Sequence, residues 1–108
     1  MKSPPRGEVW LVDLGLAAKV RPCLVLSVPI EDADRSLVTL VPHTTSVHGS
    51  RFEAVVSVPF LKGGVFSPQS LVTVPFPRLV RKVGALRSEQ LAVVENKVCL
   101  WLGLANGA

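Results

Sequence analysis

Proline and glycine interrupt this sequence so often that long regular elements are excluded from most of it. Nine prolines and eight glycines fall among runs of valine and leucine. Proline removes a ladder donor and glycine favours turns, so the runs between them read as short strands. Val9-Trp10-Leu11-Val12 and Cys23-Leu24-Val25-Leu26 are examples. Such runs fall far short of the roughly 18 apolar residues a membrane-spanning helix needs. With 48% apolar and 19% charged residues, the 108 residues can build one hydrophobic core, and intrinsic disorder is excluded. A single domain over residues 1–108 is expected. The opening Met1-Lys2-Ser3-Pro4-Pro5-Arg6 is not a basic-then-apolar leader, which points to the cytoplasm and away from a membrane.

Strands are predicted over residues 8–14, 22–29, 37–42, 52–58 and 70–74, with a further basic strand over 78–84. The third ends at Pro42, and 59–68 reads as a turn-rich connection. Helix signals come last. Ser88 is a candidate N-cap with Glu89 and Gln90 behind it, Leu91, Val94, Val98 and Trp101 share a face, and Gly103 is a stop. The sum is a small β-barrel or strongly bent sheet carrying one C-terminal helix. Trp10 and Trp101 are expected in the core, and Cys23 and Cys99 as buried free thiols.

The charge is uneven. The net charge is +4, yet residues 54–88 contain Lys62, Arg78, Arg81, Lys82 and Arg87 and no acid. On one face these residues would attract phosphates, and dispersed they would only protect a solvated strand edge. Two local patterns could carry chemistry. Arg21 precedes Pro22, which biases it to extended geometry at a strand mouth, where a fixed guanidinium binds an anion bidentately. The alternative is a surface arginine at a strand end. Pro42-His43-Thr44-Thr45-Ser46 brings an imidazole and three hydroxyls out of a strand together. These groups can hold a phosphate and move a proton, or merely satisfy a turn. His43 and His48 have no nearby cysteine or carboxylate at ligand spacing, so neither a metal nor another cofactor is expected.

Taken together, Arg6-Gly-Glu-Val-Trp-Leu-Val-Asp-Leu14, Val20-Arg-Pro-Cys-Leu-Val-Leu-Ser27, Val41-Pro-His-Thr-Thr-Ser46 and Arg78-Leu-Val-Arg-Lys-Val-Gly84 resemble the MazF/PemK (Kid-like) toxins of bacterial toxin–antitoxin modules. The resemblance implies a mainly β SH3-like barrel of the CcdB/PemK/MazF type that forms a homodimer. It also implies a metal-independent endoribonuclease that cuts single-stranded mRNA at short sequences, and a cognate antitoxin that blocks it. By the same resemblance Arg21 and Thr44 are catalytic, Thr45 occupies a Ser/Thr position, and Phe52, after Arg51, is an aromatic near the RNA path. Lys19, Ser46, Gln69, Arg78 and Arg81 complete the expected RNA contacts.

Two places depart from the family pattern. Gly15-Leu-Ala-Ala-Lys19 replaces a longer loop that usually gates RNA and meets antitoxin, and Gln69-Ser70 stands where many members have Asp-Gln. His43 is the local candidate for the missing acid or base. The expected chemistry is attack by the 2′-hydroxyl on the adjacent phosphate, leaving 2′,3′-cyclic phosphate and 5′-hydroxyl ends. The competing expectations are a CcdB-like binder of DNA gyrase and a noncatalytic RNA-binding barrel.

Overall fold

The computed structural model describes residues 3–15 and 19–105. Its strands are β1 (Glu8–Asp13), β2 (Val20–Val25), β3 (Leu37–Thr44), β4 (Val65–Phe66), β5 (Val72–Pro75) and β6 (Leu79–Ala85), followed by the helix α1 (Ser88–Leu102). Every pairing is antiparallel, in the order β4-β3-β2-β1-β6, with β5 on β3 as well. The long strand β3 is therefore shared. One edge meets β2, while the other meets β5 through Leu37–Leu40 and β4 through His43 and Thr44.

Alternation along the strands makes two cores. On one face Val12, Cys23, Val25, Val38, Leu40 and Val74 pack together, with Trp10 and Leu79 against them. Side chains from β5 and β6, which lie far apart in the strand order, thus meet in one cluster. A 3₁₀ turn, Phe76–Arg78, joins those two strands directly. Among the described residues no ladder connects β6 to β4 or β5, so the expected barrel is a curled sheet closed by a covalent turn. Pro75 before this turn and Pro77 within it have no N–H groups to donate to a closing ladder. On the other face Val9, Leu24, Val41 and Phe66 pack with Val94 and Val98 of α1.

The helix forms largely as its sequence predicts. Its N-cap is Arg87, one residue before Ser88, and the Gln90 side chain accepts the Arg87 N–H at 2.9 Å. Gly103 closes it in the left-handed conformation at φ 70°, where a Cβ would be strained. Arg6 fastens it to the sheet, donating from Nε to the Leu26 carbonyl at 2.7 Å and pairing with Glu95. Trp101 corrects the expected core face: it lies on the exposed last turn of α1. Trp10 is half-buried against its core, Cys23 is buried, and Cys99 is only half-buried.

Strand boundaries also moved. Residues 52–58 form no strand; only Ala54 bridges to Phe66. Ala54, Val56 and Val58 are still buried while Val55 is 75% exposed, so the alternation is real. The edge of β3 they could have joined is occupied by Val65 and Phe66, which lie inside the stretch expected to be only turns. The second strand spans 20–25 instead of 22–29, the fifth begins at Val72 after a 3₁₀ turn at Pro68–Ser70, and β3 runs past Pro42 to Thr44. No helix among the described residues is long and apolar enough to cross a membrane.

Phe66 is completely buried and Val55 is not. Phe66→Ala should cost about 3–5 kcal/mol of unfolding free energy in a urea titration. Val55→Ala should cost less than about 0.5 kcal/mol. A comparable loss from Val55→Ala would show that 54–58 does not alternate as described.

Candidate functional site

The β2–β3 ladder consists of Val25↔Leu40, Leu24↔Val41 and Cys23↔Pro42, and it stops there. The next residue on β2 is Pro22, which would have to donate to the His43 carbonyl to extend it and has no N–H. β2 remains paired to β1 through Pro22, Arg21 and Val20. β3 turns to β4, with the Pro42 carbonyl accepting the Ser67 N–H at 2.8 Å. The two strands therefore separate just where the register would set Arg21 opposite Thr44.

A cavity of about 650 Å³ opens at this separation, lined by Arg21, His43, Thr44, Ser46, Gln69 and Ser70 among others. A second, of about 330 Å³, is lined by Lys19, Arg21, His43, Thr44, Thr45 and Lys62 among others. Arg21, His43 and Thr44 border both. The Thr44 Oγ1 accepts the Ser46 N–H at 3.0 Å. That fixes the side chain and leaves its proton available to donate.

His43 is 5% exposed and stands edge-on to Phe66, with ring centroids 5.0 Å apart. Its Nε2 is buried without a partner. Burial pushes the imidazole below its ordinary value, and a hydrogen bond to the Gly63 backbone opposes that shift. Gly64 lies against the same ring at φ +78°, where a Cβ would overlap the Thr44 carbonyl oxygen and stand 2.8 Å from His43 Cε1. The close approach of the 59–64 loop thus requires glycine. Cys23, next along β2, is no nucleophile: burial pushes its thiol up to about 12, against the opposing charge of Arg21.

Sequence reasoning missed Glu53. Its carboxylate accepts the N–H groups of His48, Gly49 and Ser50 at 2.9, 2.8 and 3.1 Å. Those bonds, His48's first, hold the carboxyl below its usual value, while its slight desolvation acts the other way. The clamp folds the 48–53 turn into one wall of the larger cavity, where the Ser50 hydroxyl reaches Gln69 Oε1 at 3.5 Å. The available signal was an acid three to five residues after a His-Gly-Ser run, the spacing of a side chain capping its own turn.

Other expected contacts lie outside both cavities. The Arg51 guanidinium stacks 4.6 Å above the Phe52 ring, and Phe52 meets Trp101 edge-on at 5.1 Å. Lys97 donates to the Arg51 carbonyl, so this corner ties the turn to α1. Arg78 reaches the Asp13 carbonyl, and Arg81 sits on β6 opposite Leu11. The basic stretch is dispersed, because Lys82 pairs with Glu8 at 2.9 Å and Arg87 with Glu89 at 3.2 Å. Of the short Gly15–Lys19 loop, residues 16–18 lie outside the described residues.

Residues 5–102 match the family model described as PemK-like, MazF-like toxin of type II toxin–antitoxin system. The chain belongs to that family. Among solved structures it is similar to a MazE–MazF complex from Deinococcus radiodurans, at 22% identity and TM-score 0.79 over 95% of this chain and 98% of the other. It is similar to the Mycobacterium tuberculosis toxin MazF-mt6, at 26% identity and TM-score 0.74 over 91% and 98%. An endoribonuclease in complex with its cognate antitoxin from mycobacterial species shares 21% identity and a TM-score of 0.78 over 97% and 98%.

His43 makes stability depend on pH. Its folded pKa lies below the ordinary value of 6.5, so the unfolded chain takes up the proton first. The contribution is complete above the unfolded value and is lost as pH falls through the folded one. Between about pH 7.5 and about pH 5, the Tm of the wild-type protein should fall further than that of His43→Gln. Equal falls would mean that His43 titrates alike in both states.

Proposed function

We propose that this protein is a sequence-specific, metal-independent endoribonuclease that cleaves single-stranded mRNA. The observation that carries the reading is the gap between β2 and β3, with Arg21 on one side and Thr44 on the other. Family membership gives it context, as does similarity to an endoribonuclease bound to its antitoxin.

In this reading the 2′-hydroxyl attacks the adjacent phosphorus and the 5′ oxygen leaves, giving a 2′,3′-cyclic phosphate and a 5′-hydroxyl. Charge builds on the non-bridging oxygens in the transition state. Arg21 stabilises it through charge-assisted hydrogen bonds, and the oriented Thr44 hydroxyl donates to one of those oxygens. A proton must leave the 2′ oxygen and another must reach the 5′ oxygen. His43, kept neutral by burial, is the candidate acceptor, and Arg21 is the candidate donor to the leaving oxygen. The working unit is a homodimer, since exposed Val20 and Val80 leave apolar surface for a second copy to cover. A cognate antitoxin inhibits the enzyme by covering this gap.

Incubation with a defined RNA in excess chelator should give fragments with cyclic-phosphate and 5′-hydroxyl ends. Salt-dependent RNA binding without cleavage would overturn the assignment in favour of a binding barrel. Arg21→Ala should lower kcat by about 10²–10³-fold with the Tm nearly unchanged, as befits an exposed strand residue. Full activity in that variant would remove Arg21 from the mechanism. If His43 is the base, kcat/KM rises with pH through an inflection below 6.5, and His43→Gln abolishes that limb. An unchanged inflection would assign the proton transfer elsewhere.

A further inference from the structure

The two cavities differ in chemistry. Around Arg21 and Thr44, the larger one carries an amide and several hydroxyls, from Gln69, Ser50, Ser67 and Ser70, and its one acid is Glu53, held by three backbone N–H groups. Amides and hydroxyls read base edges. The smaller cavity gathers the cations Lys19, Arg21 and Lys62 around the hydroxyls of Thr44 and Thr45, and no acid among the described residues lines it. A lysine ammonium is a compact charge on a flexible stem, suited to a phosphate and poor at discriminating bases.

Both lysines are held there by backbone features. Lys19 has φ 55°, in the left-handed region unusual for a side-chain-bearing residue, and two backbone hydrogen bonds hold it. Its N–H donates to the Gly15 carbonyl at 2.7 Å and its carbonyl accepts the Leu14 N–H at 2.8 Å. Lys62 precedes Gly63 and Gly64, both at positive φ. Those glycines let the loop turn back against His43 and the Thr44 backbone, which brings Lys62 beside Thr45.

We propose that Lys19 and Lys62 form a second phosphate subsite, which holds the phosphate neighbouring the scissile one on the RNA strand. The inference rests on the reading of the Arg21–Thr44 gap as the cleavage site and gives that site a direction. Bases on one side of the cut are read in the larger cavity, and on the other side the backbone is held by charge alone. Sequence preference should therefore be concentrated on one side of the cleaved bond.

The test compares wild type with Lys62→Gln and Lys62→Arg on a short RNA whose linkages flanking the cleaved bond are replaced, one at a time, by uncharged methylphosphonate. For the wild type, one of the two replacements should raise KM several-fold and leave kcat nearly unchanged. The same replacement should cost Lys62→Gln nothing further, and Lys62→Arg should behave as wild type. On unmodified RNA, the slope of log kcat/KM against log salt should be shallower by about 0.7 in Lys62→Gln. RNA cleaved alike by wild type and Lys62→Gln, or an equal penalty from the neutral linkage in both, overturns the subsite alone. Loss of binding to an acidic peptide by Lys62→Gln, with cleavage unchanged, also overturns it. RNA left intact by the wild-type protein overturns the cleavage reading and the subsite with it.

Discussion

The hydrogen-bond ladder between β2 and β3 ends because Pro22 has no N–H for the rung after Cys23 and Pro42. Pro42 is paired with Cys23 at the last rung, and Pro22 is next to Cys23 on the other strand. Beyond them β2 keeps its partner β1, while β3 turns to β4. Separation of two paired strands would ordinarily strand backbone donors and acceptors. Here Pro22 has no donor to strand, and the Ser67 N–H satisfies the Pro42 carbonyl. Arg21, His43 and Thr44 face the gap because of where the ladder stops, and both cavities follow from it.

Residues around the gap divide into those that face it and those that hold its walls. Glu53 is the wall-holder on one side, its carboxylate spent on three backbone N–H groups. On the other side the buried ring of His43 supports the passage of Gly63 and Gly64. The ring is thus involved in architecture whatever its part in proton transfer. Charge follows the same division. Lys82 and Arg87 are paired with acids, whereas Lys62 reaches the site, so net charge along the sequence was a poor guide to charge in space.

Local rules made much of this legible. The helix, its Gly103 stop, the basic last strand and the Arg21 and Thr44 positions could all be read from spacing, turn chemistry or resemblance. Residues 52–58 failed for a tertiary reason. Their alternation buries Ala54, Val56 and Val58, but the edge they would pair with is filled by Val65 and Phe66, which are too short a run to announce a strand. Pro42 misled in the opposite sense, since it changes the partner of β3 without ending it. Trp101 fits the apolar face by spacing, yet it lies on the exposed last turn of α1, edge-on to Phe52. Glu53 was hidden because its partners are backbone amides, which every sequence contains.

The gap between β2 and β3 begins at a position set by composition. Pro22 has no N–H to give to the rung that would follow Cys23 and Pro42, so the ladder stops short of Arg21 and Thr44. Control by shape would need a moving part, whereas control by occupancy needs only a second molecule. The family to which the chain belongs, toxins of type II toxin–antitoxin systems, has such a second molecule supplied separately.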